Sequence, residues 1–210
     1  MTDHNVLIEK LSREMQPIKR PWPTDLRVFG WLAVALPCAI AVSYLLPRGL
    51  TDWSQPGAIW AVAQLLLAFL LGTLAIRSAF TMSIAGRQAL SWKALLPIGL
   101  MWLGLSLRSI PGDTPVMHDN DSISCFTFLL AVSSPMIVLM IASLRRTRAL
   151  NPVRSLAMAG LGIASLAVSL LAFCHPVHLH ALDFVMHLAA IVAIMALTIL
   201  VGRRWVSVGE

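Results

Sequence analysis

Charge is what this chain has least of: 12% of its 210 residues are charged, where a water-soluble domain carries about a quarter. With 58% of the residues hydrophobic, an ordinary soluble fold is excluded. Acids are scarcer still, ten against sixteen bases, for a formal charge of +6. A basic excess points to nucleic acid only when a basic stripe is interleaved with aromatics, and no such stripe is present. The bases flank apolar runs instead, where anionic lipid headgroups attract them, so direct nucleic-acid binding is not expected. Catalytic constellations are missing as well. There is no Gly-rich phosphate loop, no nucleophile elbow, no His-Glu-x-x-His and no pair of carboxylates inside an apolar run, so no enzyme is expected. The absence of ionisable groups near the middle of any run argues against a pump or proton-coupled transporter. No repeat, low-complexity tract, second soluble domain or cleavable signal peptide is read either.

What the chain does have is six apolar runs, at 28–46, 58–76, 89–107, 123–144, 155–174 and 184–202. Each is long enough, or nearly so, to cross a hydrocarbon core of roughly 30 Å at about 1.5 Å per residue. Fourteen of the sixteen bases fall in alternate intervening segments. These are Lys10, Arg13, Lys19, Arg20 and Arg27; then Arg77, Arg87 and Lys93; then Arg145, Arg146, Arg148 and Arg154; and finally Arg203 and Arg204. Only Arg48 and Arg108 lie on the other side. Because short cytoplasmic loops retain Lys and Arg, the expected fold is an all-α, polytopic integral membrane protein. It has six transmembrane helices and both termini in the cytoplasm. The expected organisation is a cytoplasmic amino segment (1–27), a membrane domain (28–204) and a short cytoplasmic tail (205–210).

In the amino segment, Leu7, Leu11, Met15 and Ile18 recur at helical spacing, leaving Glu9, Lys10, Arg13 and Glu14 on the opposite side. Pro17 is expected to end that helix, and Pro21-Trp22-Pro23 to form a stiff connector. Three turns are unstable alone in water, so the helix needs a surface: a membrane interface or a protein groove. Its mixed-charge polar face counts against lipid, which favours basic faces. Within the runs, Pro37, Pro97 and Pro135 are read as packing kinks and Gln64 as an interhelical hydrogen-bond donor. Lys93 is expected to snorkel to the interface. Gly160, Gly162 and their small neighbours in the fifth run suit close helix approach.

The side opposite most bases collects His118, His175, His178, His180 and His187 together with Asp52, Asp113, Asp119, Asp121 and Asp183. Cys125 stands at the entrance to the fourth run and Cys174 at the exit of the fifth; Cys38, inside the first, reads as an apolar packer. The two outer thiols admit a disulfide, an oxidant-sensing pair, ligands for a thiophilic metal, or two unrelated buried residues. With His175, His178 and His187 they form a candidate soft-metal ligand set. On one helical face, Asp183 is placed to orient or charge-balance His187. Structural roles are the favoured reading for most of the histidines, and no zinc motif is matched. A metal- or haem-binding protein built on these histidines and a small transporter are the competing readings.

Leu7-Ile8-Glu9-Lys10-Leu11, Pro17-Ile18-Lys19-Arg20, Ser124-Cys125-Phe126 with Ser133-Ser134-Pro135, Cys174-His175-Pro176 with His187, and Gly202-Arg203-Arg204 stand in an order that resembles the NrsF-type membrane anti-sigma factors. The resemblance covers almost the whole chain. It implies a negative regulator that holds an extracytoplasmic-function, sigma-F-like sigma factor at the membrane through its amino segment. Leu7, Ile8, Leu11 and, on the same face, Met15 would then contact sigma. Cys125 and Cys174 would sense metal or oxidative stress and trigger release. The only cofactor implied is a transiently bound thiophilic metal ion. Cys38 departs from the pattern.

Overall fold

The computed structural model describes residues 2–14, 22–46, 49–84, 86–87, 90–110, 119–147, 151–174 and 181–206. Among these there are seven α-helices and no strand: α1 (Thr2–Glu14), α2 (Thr24–Leu45), α3 (Ala58–Met82), α4 (Trp92–Arg108), α5 (Asp119–Arg145), α6 (Pro152–Leu171) and α7 (Ala181–Val206). Five of them, α2, α3, α5, α6 and α7, are long and apolar enough to cross a membrane. The third apolar element, α4, has 17 residues, or roughly 26 Å at 1.5 Å per residue, shorter than a typical span.

Helices start and stop for local reasons. Pro23 precedes the first turn of α2, its carbonyl accepting from the Arg27 N–H at 3.1 Å, and Asp25 places an acid at the positive end of the helix dipole. The helix therefore begins ahead of the apolar run at 28, so the division at 27/28 falls inside it. Gly57 leads into α3 with φ of 100°, a left-handed conformation that glycine adopts at no steric cost. Beyond residue 76, α3 continues through Arg77 and Thr81, whose polarity ends the apolar run without ending the helix. The Thr81 hydroxyl donates to the Arg77 carbonyl at 2.8 Å. Ser91 caps α4 by accepting from the Lys93 N–H, and Pro152 opens α6 at a position where its missing N–H costs nothing. Pro37, Pro97 and Pro135 all lie inside continuous helices.

The bundle is built around α6, which packs against α3 on one side and α7 on the other. It is buried almost all round, the signature of a central helix. Next, α5 packs on α7, α2 and α6, while α4 lies against α3. In a hydrocarbon solvent the attraction between helices is close contact rather than exclusion of water, and glycines provide it. A Cβ on Gly72 would stand 3.0 Å from the Gly162 carbonyl, and one on Gly162 would stand 3.0 Å from the Gly72 carbonyl. A Cβ on Gly160 would meet the Met195 backbone at 2.8 Å. Close approach by the fifth apolar run is thus realised on two faces. Gln64 bridges α3 to α4, its Nε2 donating to the Leu105 carbonyl at 3.1 Å and to the Ser109 hydroxyl at 2.7 Å.

Side-chain contacts sort the helix ends into two groups. At one end, Arg77 donates to Asp25 at 2.6 Å, Arg87 to the Thr24 hydroxyl at 3.1 Å, and Ser155 to the Ala79 carbonyl at 3.1 Å. There too Arg145 lies over the Trp205 ring. These contacts gather the starts of α2 and α6 with the ends of α3, α5 and α7. At the other end, Arg108 lies over Trp60 and the α2–α3 connection meets the end of α6. Helices successive in the chain from α2 to α7 therefore alternate in direction, α5 and α7 packing side by side in parallel, and the first end carries nearly all the described bases.

Candidate functional site

Residues singled out from the sequence fall into two groups at opposite ends of the molecule. The first is α1. Leu7 is 54% exposed, Ile8 64%, Leu11 54% and Val6 65%, so the apolar face that the periodicity predicts is formed but uncovered. On the polar side Arg13 donates to Glu9 at 2.7 Å, one turn apart, a pair worth at most about 0.5 kcal/mol at such exposure. Met15 lies outside the described residues. The connection 15–23 ties this helix to the start of α2, hence to the basic end.

The second group lies at the end of the bundle opposite the start of α2. Cys174 follows the last turn of α6, half-buried against the main core, with its N–H donating to the Leu171 carbonyl at 2.8 Å. The α2–α3 connection clasps this turn. The Thr51 N–H donates to the Phe173 carbonyl at 3.1 Å, the Thr51 hydroxyl to the Ala172 carbonyl at 2.8 Å, and Trp53 meets Phe173 edge-on. Beside the clasp, the Asp52 carboxylate accepts from the Ser54 hydroxyl, the Ser54 N–H and the Gln55 amide. Chiefly through the Ser54 hydroxyl, these bonds hold its pKa below the ordinary carboxylate range. Cys125 is half-buried near the start of α5.

Asp183 and His187 stand one turn apart in the first turns of α7, 1% and 5% exposed, on the buried stripe that continues through Ala190, Ile194 and Thr198. Their shared inward face agrees with the spacing argument, and an acid in the first turn again suits the helix dipole. His175, His178 and His180 lie outside the described residues. Among the described residues, no three His, Cys, Asp or Glu side chains are grouped as a metal ion would require, so Cys125, Cys174 and His187 do not assemble a three-ligand site by themselves.

Two features escape sequence reasoning. Thr51 is an ordinary loop threonine until the fold brings Ala172 and Phe173 to it. Arg27, read only as a topology signal, is half-buried. It donates to the Ser83 and Thr147 hydroxyls, each at 3.4 Å, and lies 4.7 Å over the Phe80 ring. Its place just before an apolar run was the only available hint.

Across residues 11–207 the chain matches a family model described as "Negative regulator of sigma F". No curated protein and no solved structure matches it.

Proposed function

Since the chain belongs to the NrsF family, negative regulators of sigma F, we propose that it is a membrane-bound anti-sigma factor that holds an extracytoplasmic-function sigma factor on α1. In this reading α4 is the sixth, short span, the basic end of the bundle faces the cytoplasm of a bacterial inner membrane, and both termini lie on that side. The carrying observation is the uncovered apolar face of α1, joined to the basic end. The family match begins at residue 11, so the capture role of Leu7 and Ile8 rests on the geometry of α1 itself. An amphipathic helix of this length gains stability from the groove it enters, and the ordering cost keeps the complex releasable.

Release is the work of the far end. Oxidation or metal ligation at Cys125 and Cys174 changes the volume and charge of two half-buried side chains, one of them in the turn that Thr51 clasps. Moving α5 or α6 there is felt at the basic end, where Thr147 just beyond α5 bonds Arg27 in the first turn of α2. That turn immediately follows the connection to α1. The modified and unmodified thiols thereby bias two positions of the capture helix.

The test is affinity purification of the intact protein from its own membranes, with the Leu7→Asp, Leu11→Asp variant beside it. A sigma factor retained by the native chain and lost by at least tenfold with the variant is expected, as burying two leucines contributes several kcal/mol. Recovery of no sigma factor by either chain, or equal recovery by both, refutes the assignment.

A further inference from the structure

A groove of about 540 Å³ opens between α2 and α5 at the basic end. Its rim holds Arg27 and Arg146, and its walls descend along Trp31, Gly30 and Val34 of α2 and Leu139 of α5. We propose that this groove binds one anionic phospholipid, its phosphate between Arg27 and Arg146 and an acyl chain along Gly30, Val34 and Leu139.

Three observations converge on that occupant. The first is charge. The ion pairs among the described residues are Arg13–Glu9 and Arg77–Asp25, so neither groove arginine is paired with an acid among the described residues. Arg27 is half-buried with only hydroxyls and a phenyl ring beside it. A desolvated guanidinium held by neutral partners favours an anion, and a guanidinium fork matches phosphate geometry. The second is the direction of the groove. It runs from the charged rim into the apolar part of two membrane-crossing helices, so a purely water-soluble anion would leave its lower walls bare. Basic pockets between membrane helices on the cytoplasmic side take lipid phosphates by the same logic. The third is Gly30. A Cβ built there meets nothing within 4 Å, so no helix contact needs this glycine. Nevertheless it interrupts an apolar helix at a cost of about 1 kcal/mol relative to alanine. Its missing side chain leaves the wall of the groove open for a chain to lie against α2. The site is independent of the sigma-factor assignment.

Trp22 and Trp31 both line the groove and report on its contents once the other five of the seven tryptophans are replaced by phenylalanine. The intact protein is reconstituted in phosphatidylcholine vesicles that contain a small fraction of either phosphatidylglycerol or phosphatidylcholine with brominated acyl chains. Tryptophan quenching is then read against that fraction. Brominated phosphatidylglycerol is expected to quench at fractions lower by on the order of tenfold, the scale of two arginines at a membrane surface. Gly30→Leu, whose Cβ has open space around it, and Arg146→Gln should each remove the preference, whereas Arg203→Gln at the same end should retain it. Soluble glycerol phosphate should not compete at millimolar concentration; full competition would show a phosphate site without a chain site and overturn the lipid assignment. Equal quenching by the two lipids, or a preference that survives both groove variants, would also overturn it. If Gly30→Leu instead abolished sigma-factor capture while quenching stayed equal, the groove would belong to the protein partner.

Discussion

Cys174 sits where a small chemical change has mechanical reach. Its own N–H is committed to Leu171, and the two residues before it carry the bonds from Thr51. Adding a metal or an oxygen to the sulfur therefore crowds a turn that the α2–α3 connection is holding. Cys125 supplies a second thiol at the same end, on α5 rather than α6. Replacing both by serine keeps their size while removing the soft, oxidisable atom. The Cys125→Ser, Cys174→Ser protein should still retain its sigma factor yet fail to release it under metal or oxidant stress. A reporter gene driven by that sigma factor measures this, and normal induction in the double variant sinks the sensing assignment. Thr51→Val should raise basal expression of the same reporter severalfold without stress, because it removes the Ala172 bond and leaves the turn half-clasped. No change in basal output would show that the clasp is structural only. At this scale much was legible: the positions of both cysteines at one boundary, the inward Asp183–His187 face and the Gln64 bridge follow from spacing and hydropathy. The roles of Thr51 and Arg27 were not, since each depends on residues more than fifty positions away.

Among the elements, α6 is the least replaceable. Gly160 and Gly162 face α7 and α3 respectively, so a bulkier residue pushes the Met195 backbone at the first position and the Ile76 side chain and Gly72 carbonyl at the second. Gly160→Val should lower the thermal midpoint of the purified protein, with overpacking on the order of 1–3 kcal/mol. An unaltered melting curve would mean that α6 and α7 separate readily. Small-residue composition announced this helix in advance, whereas its central place did not follow from the sequence, because every apolar run looks equally fit for the middle. Helix ends were the weaker part of the reading for a related reason. Hydropathy marks where lipid contact stops, and α2, α3 and α7 extend past that boundary on turns held by Pro23, Asp25, Arg77 and Thr81. In α1 the opposite applies: its periodicity gave the helix and its apolar face, and nothing in the fold covers them.

On the scale of the whole molecule, the alternation of bases found in sequence and the alternation of helix direction found in structure divide the bundle at the same places. That agreement motivates a sidedness test. In a cysteine-free background, Ser54→Cys at the α2–α3 connection should react with a membrane-impermeant maleimide in intact spheroplasts, and Arg204→Cys only after permeabilisation. Labelling of both from outside would require α4 to lie on the surface, leaving five spans and termini on opposite sides. The count of Lys and Arg per segment made this polarity readable without any contact being known, because short cytoplasmic segments retain bases whatever the helices touch. Which helices touch was unreadable for the complementary reason: in lipid, apolar surface has no preference for protein.

The dependence of α4 on α3 has a consequence for how the chain is made. At 17 residues α4 is the shortest of the apolar helices, and the neighbour it packs against is the one synthesised just before it. A helix of this length leaves the translocon least readily on hydropathy alone. Here the partner it needs is already waiting in the lipid, with the Gln64 amide ready to meet the Leu105 carbonyl and the Ser109 hydroxyl. In the six-span reading the pair enters the membrane as a hairpin. In that reading the orientation of the later helices follows from this one local pairing.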